Sequence, residues 1–267
     1  MVHLKMRLCS FQKFSKGVSR LVAKNQEEID LMRKAGQITK DALLYAETLI
    51  APGISTMAID KLLKKFIIDN DATPSFLGYS GFPASSCISV NDVVVHGIPS
   101  ENIILKEGDI VSIDIGVLYK GFNGDAARTF PVGKISKEKQ KLIEVTKQSF
   151  FEGISKLRVG GKLGQLSSAI QKYAESYGYS VVRELVGHGI GKEMHEAPNV
   201  PNYGKETDGI TIPENLFLAV EPMINMGRKE IYLEPDGWTI KTQDGLPSAH
   251  YENTILITKS GVEILTN

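Results

Sequence analysis

Cysteine is scarce: only Cys9 and Cys87 occur, with no Cys-x-x-Cys pair and no Cys/His spacing of the zinc type. This excludes a disulfide framework and a thiolate metal site, and makes a reducing compartment, the cytoplasm, the expectation. Long hydrophobic runs are missing too. None approaches the roughly 18 residues needed to cross a bilayer, so no membrane partner is expected. An excess of charge of either sign is also lacking, since 31 Lys and Arg balance 31 Asp and Glu. Without a global field there is nothing to gather nucleic acid or an anionic membrane. Low-complexity linkers and residue-level repeats are absent. What remains is 267 residues, 42% hydrophobic and 23% charged, enough for a soluble globular chain with a substantial core.

The local exception is residues 1–26, where Lys5, Arg7, Lys13, Lys16, Arg20 and Lys24 appear without an acid. A transit-like or ribosome-facing basic arm fits this composition, and so does a functionally neutral terminus. The stretch is set outside the core, which leaves a single domain over 27–267.

Asn25 followed by Glu28 resembles a capping box, and apolar residues from Ile29 to Leu49 recur at helical spacing until Pro52-Gly53 stops them. Ser55 caps a second amphipathic helix ending near Asn70-Asp71. Residues 72–86 read as a loop bearing Phe76, Tyr79 and Phe82 among Gly78, Gly81 and Pro83. Strands are expected at Cys87–Val90 and Val93–His96, then a hairpin over Asp109–Phe130. A second round follows, with helices from Ser136 to about Arg158 and over Leu163–Ser176, and a strand at Tyr179–Val186. Further strands are expected at Leu216–Glu221, Trp238–Thr242, Ala249–Thr258 and Val262–Leu265. Two helices and then strands, twice over, predict an α+β fold of two similar halves packed as one unit.

Chemistry concentrates in acids and histidines lodged in apolar or glycine-rich surroundings. Asp114 interrupts an alternating apolar run and Asp125 opens the next. With the turn placed at Tyr119-Lys120-Gly121, the two carboxylates fall opposite each other to within about one residue. His188 lies in Gly187-His188-Gly189-Ile190-Gly191, whose glycines give the backbone freedom and leave the imidazole room to approach something bulky. His195 follows seven positions later, a spacing that does not suit two ligands on one helix face. Glu221 closes the strand Leu216–Val220 before Pro222, and Glu252 sits inside the run Ala249–Ile257. Four such carboxylates cannot all ionise together without cations, and two divalent ions would neutralise them. Oxygen donors with one imidazole suit Mn, Fe, Co or Zn. Two metals about 3.5–4 Å apart activate a bridging water and polarise a carbonyl, so hydrolysis is the natural chemistry.

These segments resemble a known family, the type I methionine aminopeptidases of the pita-bread metallopeptidase fold, peptidase family M24. The resemblance rests on Cys87–Pro99, Asp114 with Asp125, GHGIGKEMHEAPNVPNY from Gly187, Val220–Asn225 and Trp238–Glu252, and it covers nearly all of Asn25–Leu265. The short separation of Glu221 and Glu252 is similar to type I, because type II enzymes carry a long insertion there. The resemblance implies two pseudo-symmetric halves with antiparallel sheet inside and helices outside. It also implies removal of the initiator methionine from nascent chains whose second residue is small, so that Met-Ala and Met-Gly are cleaved and Met-Lys is not.

By the same resemblance Asp114 chelates one metal, Asp125 and Glu252 bridge both, and His188 and Glu221 complete the second. A metal-bridging water or hydroxide attacks the scissile carbonyl, Glu221 shuttles the proton, His195 stabilises the tetrahedral intermediate and His96 holds the scissile amide. Phe76, Tyr79, Phe82, Cys87, Met194 and Trp238 match the methionine pocket, whose aromatic and sulfur walls suit a thioether. His96 and His195 also face substrate. The implied partners are nascent polypeptide N-termini, with the ribosome a candidate, and the implied state is a monomer. Ser80, Phe82 and Leu185 depart from residues common in bacterial relatives, where His, Tyr and an aromatic residue respectively are usual; none is an expected metal ligand.

Three other readings compete. Xaa-Pro aminopeptidases share fold and metal set but carry a further N-terminal domain, for which residues 1–26 are too short. Non-catalytic binding proteins of this fold have lost ligands, whereas all five stand here. A binuclear phosphoesterase would need a basic phosphate clamp, which the pocket residues do not supply.

Overall fold

The computed structural model describes Val22 and residues 25–267. Apart from Val22 and the start of the first helix, the basic stretch 1–26 lies outside the described residues. Val22 itself bridges Leu216 and packs on a core cluster, so at that residue the stretch touches the fold.

Helix α1 (Gln26–Leu49) starts where Asn25 accepts from the Glu28 amide, and α2 (Thr56–Asp69) starts where Ser55 accepts from the Ala58 amide. Both caps satisfy amide donors that a helix leaves open at its first turn. Next come β1 (Thr73–Pro74), β2 (Cys87–Val90), β3 (Val93–Val95), β4 (Ile110–Tyr119) and β5 (Phe122–Pro131). The second round has α3 (Lys137–Ile154), α4 (Gly164–Ser176), β6 (Ser180–Val181), β7 (Gly187–Gly189), β8 (Glu196–Val200), β9 (Leu216–Val220) and β10 (Met223–Asn225). The remaining strands are β11 (Ile231–Leu233), β12 (Ile240–Thr242), β13 (Ser248–His250), β14 (Asn253–Thr258) and β15 (Gly261–Ile264).

All pairings among the described strands are antiparallel. In the first half α1 and α2 cover the β1-β4-β2 sheet, on whose β4 the strand β5 also pairs; Ile38, Ile59, Leu63, Ile67, Ile88, Ile113 and Ile115 fill that core. In the second half α3 and α4 cover the β15-β14-β9-β7-β8 sheet over Phe150, Leu166, Ile170, Leu218, Val220 and Ile255. Each fully buried side chain of this size contributes on the order of 1.5–3 kcal/mol. The α+β fold of two similar halves is thus the one expected. A third cluster joins them: Ile29 and Met32 of α1 pack with Phe122 of β5 and with Phe217 and Leu256 of the second sheet.

Several boundaries differ from those expected. The 179–186 strand shrinks to β6, because Val182 is the last residue there to bond to Met223 before the chain turns away. The run 249–258 splits into β13, paired with β10, and β14, paired with β9, leaving Tyr251 and Glu252 in the break. Short strands at 187–189, 196–200, 223–225 and 231–233 carry too few residues for a period to show.

Polar contacts seal the seam between the halves. Thr254 Oγ1 accepts from the Asp125 amide and donates to the Asp125 carbonyl, both at 2.9 Å, and the Glu252 amide donates to Ala127 O at 2.9 Å. Arg128 crosses the seam, donating to the Ala127 and Glu252 carbonyls, to Asn253 Oδ1 at 2.6 Å and to Thr266 O at 3.2 Å. Its guanidinium lies 4.2 Å from the Tyr251 ring centroid. Hydrogen bonds from a charged donor are worth about 1.5–3 kcal/mol each before non-additivity. Arg128→Met should therefore destabilise the metal-free protein by about 3 kcal/mol, read as a lower denaturant midpoint at unchanged slope.

Candidate metal centre and adjoining pocket

Lys120 (φ 48) and Gly121 (φ 84) form a two-residue turn with both φ positive, the geometry that matches strand twist in a tight hairpin. It sets the register: Tyr119 faces Phe122, Asp114 faces Ala127 and Asp125 faces Gly116. The two aspartates are therefore diagonal, two residues out of direct opposition, rather than opposite to within about one. Their even offset still puts both on one face of the sheet.

His188 is central in β7, facing Ala219 of β9 and Asn199 of β8. Its glycine neighbours serve a purpose other than the expected room for the imidazole. A Cβ on Gly187 would stand 2.4 Å from Ala219 O, and one on Gly189 would stand 2.1 Å from Ala197 O. The flanking strands press on this backbone, and only glycine lets the histidine be delivered between them. Nδ1 of His188 lies 2.9 Å from Gly189 O. That contact leaves Nε2 for the centre.

Nε2 of His188 is 3.7 Å from Asp125 Oδ2 and 3.7 Å from Glu221 Oε1. Donor atoms of Asp125, His188 and Glu252 all lie within 4.8 Å of one another. Glu221 follows β9 and Glu252 lies in the β13–β14 break, so strand ends deliver both. Asp125 and Glu252 are only 3% and 2% exposed, yet Asp114 Oδ1, Asp125 Oδ1 and Glu252 Oε1 have no hydrogen-bond partner. Buried carboxylate oxygens are seldom left bare. Orphaned hard oxygens beside an available imidazole nitrogen fit divalent cations.

The electrostatics agree. Desolvation raises the Asp114 carboxyl to about 7. Asp125, Glu221 and Glu252 are pushed well above the carboxylate range, first by desolvation and then by one another's charge. Burial lowers His188 and His250 to about 3 and His96 to about 4. His195 is exposed, and desolvation by the protein beside it lowers its pKa to about 4.

The expected pocket residues come together. Phe76, Phe82, Cys87 and Met194 form one apolar cluster, with Tyr79 and Trp238 packed against it. Phe82 meets Trp238 edge-on at 5.2 Å, and Trp238 meets His96 edge-on at 6.5 Å. His195 lies against His188, ring centroids 4.2 Å apart, and its Nδ1 is 2.8 Å from Tyr79 Oη. His96 adopts φ 58, a left-handed backbone that histidine enters more readily than most non-glycine residues.

Two participants were not picked out from sequence. His250, 2% exposed, places Nε2 3.7 Å from Glu221 Oε2 and 3.9 Å from Glu252 Oε2. Its position two residues before Glu252 was the available signal. Asp60 of α2 is buried and accepts from the Ser85 and Ser86 amides and the Ser86 hydroxyl, fixing the segment that leads into Cys87. Helical periodicity hid it, since it stands among Ile59, Leu62 and Leu63.

The model of metallopeptidase family M24 matches residues 30–259. Methionine aminopeptidase of Clostridium acetobutylicum is 50% identical, over 92% of this chain and 98% of that protein. Methionine aminopeptidase 1 of Bacillus subtilis is 46% identical, over 92% and 99%. The crystal structure of methionine aminopeptidase from Rickettsia prowazekii superposes with TM-score 0.90 at 42% identity, covering 92% of this chain and 99% of that one. Prolidase from Pyrococcus furiosus gives TM-score 0.76 at 25% identity, over 93% and 66%.

Raised carboxyl pKa values mean that the metal-free folded state holds protons its unfolded state has released. Above about pH 6.5 unfolded histidines are neutral and drop out of the balance. Stability of the metal-free protein should then fall as pH rises from 6.5 to 8, by roughly 2–4 °C per pH unit for each carboxyl that the folded state still holds protonated. Calorimetry with chelator should show this slope, and saturating Mn²⁺ should abolish it.

Proposed function

The chain belongs to metallopeptidase family M24, and from that premise we propose that it is a type I methionine aminopeptidase, removing the N-terminal methionine of peptides and nascent proteins whose second residue is small. The observations that support this reading are the mutual approach of the Asp125, His188 and Glu252 donors, Glu221 3.7 Å from His188, and the register pairing of Asp114 with Cys87 of the apolar aromatic-and-sulfur cluster.

In this reading Asp114, Asp125, His188, Glu221 and Glu252 hold two divalent ions, Co, Mn, Fe or Zn. Such ions supply Lewis acidity, polarising the scissile carbonyl and lowering the pKa of water at the site. The chain's own residues do the rest. Phe76, Phe82, Cys87, Met194 and Trp238 receive the thioether and keep water from it. Glu221, beside both His188 and His250, accepts a proton from the attacking water and returns it to the leaving amine. His195 donates to the oxygen on which charge develops, and His96 holds the scissile amide. The reading extends to a monomer acting in the cytoplasm on nascent chains, with the ribosome as the place of encounter. Among the described residues no helix is long and apolar enough to cross a membrane.

The test is hydrolysis of Met-Ala-Ser by metal-stripped protein with and without added Co²⁺ or Mn²⁺, beside Met-Lys-Ser and Ala-Pro. Methionine should be released from the first peptide alone and only with metal. Asp114→Ala should reduce the rate more than about a hundredfold, beyond what changes behind the ligands cause. No release by folded, metal-loaded protein would sink the reading, and cleavage of Ala-Pro instead would move it to proline-specific relatives.

A further inference from the structure

We propose that Tyr79 is a positioning residue: its phenol donates a hydrogen bond to Nδ1 of His195, holds the imidazole proton on Nε2, and so ties the wall of the apolar pocket to the hydrogen-bonding state of that histidine. The inference deepens the proposed function, on which it rests for the role of His195.

Tyr79 Oη and His195 Nδ1 are 2.8 Å apart, and the rings lie 5.2 Å apart at 35°. Between a phenol and a neutral imidazole the direction is set by acidity. The phenol O–H is the better donor, the unprotonated ring nitrogen is much the better acceptor, and the bond at one nitrogen fixes the proton on the other. Nε2–H is then the available donor, as a group facing a developing oxyanion must be. The opposite tautomer would present a lone pair there and repel the same charge.

The loop that carries Tyr79 is stiff. The Gly78 amide donates to Phe82 O, the Tyr79 amide to Phe76 O, the Gly81 amide to Gly78 O and the Phe82 amide to Tyr79 O, all between 2.9 and 3.1 Å. Ser80 turns the chain at φ 49 between Gly78 at φ 82 and Gly81 at φ 89. This closed turn points Phe76 and Phe82 into the apolar cluster while Tyr79, between them, reaches His195. The contact spans the two halves, since the loop precedes β2 and His195 precedes β8. The residues that wall the pocket and the residue that sets the histidine thus lie on one short segment, residues 76–82.

Zinc-loaded protein labelled with ¹⁵N-histidine reads the tautomer without reference to activity. His195 should carry its proton on Nε2 in the native protein, and Tyr79→Phe should shift it toward a mixture of tautomers. With Met-Ala-Ser, Tyr79→Phe should lower kcat about tenfold, the loss of one useful hydrogen bond, with KM unchanged within about twofold. In a His195→Ala background the same substitution should cost nothing more. A native proton on Nδ1, a rise in KM alone, or equal losses from Tyr79→Phe with and without His195 would overturn the inference. If native protein releases no methionine under any metal, the proposed function fails while the ¹⁵N measurement still decides this one.

Discussion

Negative charge withdrawn from water is the constraint on which this architecture depends. Asp114, Asp125, Glu221 and Glu252 converge where the protein offers them few hydrogen bonds, and His96, His188 and His250 nearby are held neutral by the same burial. Transfer of an isolated carboxylate into such a medium costs far more than one contact returns. The fold therefore needs a source of rigidity that does not neutralise the site. It uses neutral backbone and threonine hydrogen bonds across the seam, at Asp125–Thr254, Glu252–Ala127 and Thr129–His250. The half-buried cation at the seam, Arg128, spends its donors on carbonyl oxygens and Asn253 and donates to none of the four carboxylates. A guanidinium paired directly with them would compete with divalent ions.

The two-half construction follows from the same need. One hairpin supplies Asp114 and Asp125 within a single register. The second sheet supplies His188 from mid-strand and Glu221 and Glu252 from strand ends. Helix α1 packs across both halves through Ile29 and Met32 against Phe217 and Leu256. Apolar area, rather than ligand contact, thus fixes the distance between the two donor sets. Interiors at crystal-like density resist the small displacements that would spoil such a site.

Much of this was legible in the sequence, for identifiable reasons. α1 and α2 announce themselves by period and cap, and the hairpin by turn chemistry. The five donors stand out because acids and histidine in apolar strands need an explanation. Other features could not be read. The register of Asp114 and Asp125 depended on which two residues close the turn, and a shift of the turn moves the pairing by two. The glycines beside His188 proved to answer pressure from Ala197 of the next strand and Ala219 of one further along the chain, contacts that only the pairing of β7 with β8 and β9 creates. His250 and Asp60 sit in runs whose apolar neighbours already accounted for the pattern. The bond from Tyr79 to His195 spans 116 positions, and no local signal encodes it.

The same charge balance explains why such a site acts at the amino end of a chain. The pocket cluster contributes aromatic, aliphatic and sulfur groups and no cation, while the donors beside it carry four formal negative charges when ionised. Two divalent ions bring the sum to zero and one leaves it negative. Neither state repels a free α-amine, and the carboxylates around it favour a cationic or metal-seeking nitrogen. A chain's carboxyl end would place like charge against the ligands with no arginine to receive it. Polarity at the centre thus favours the amino end of the substrate.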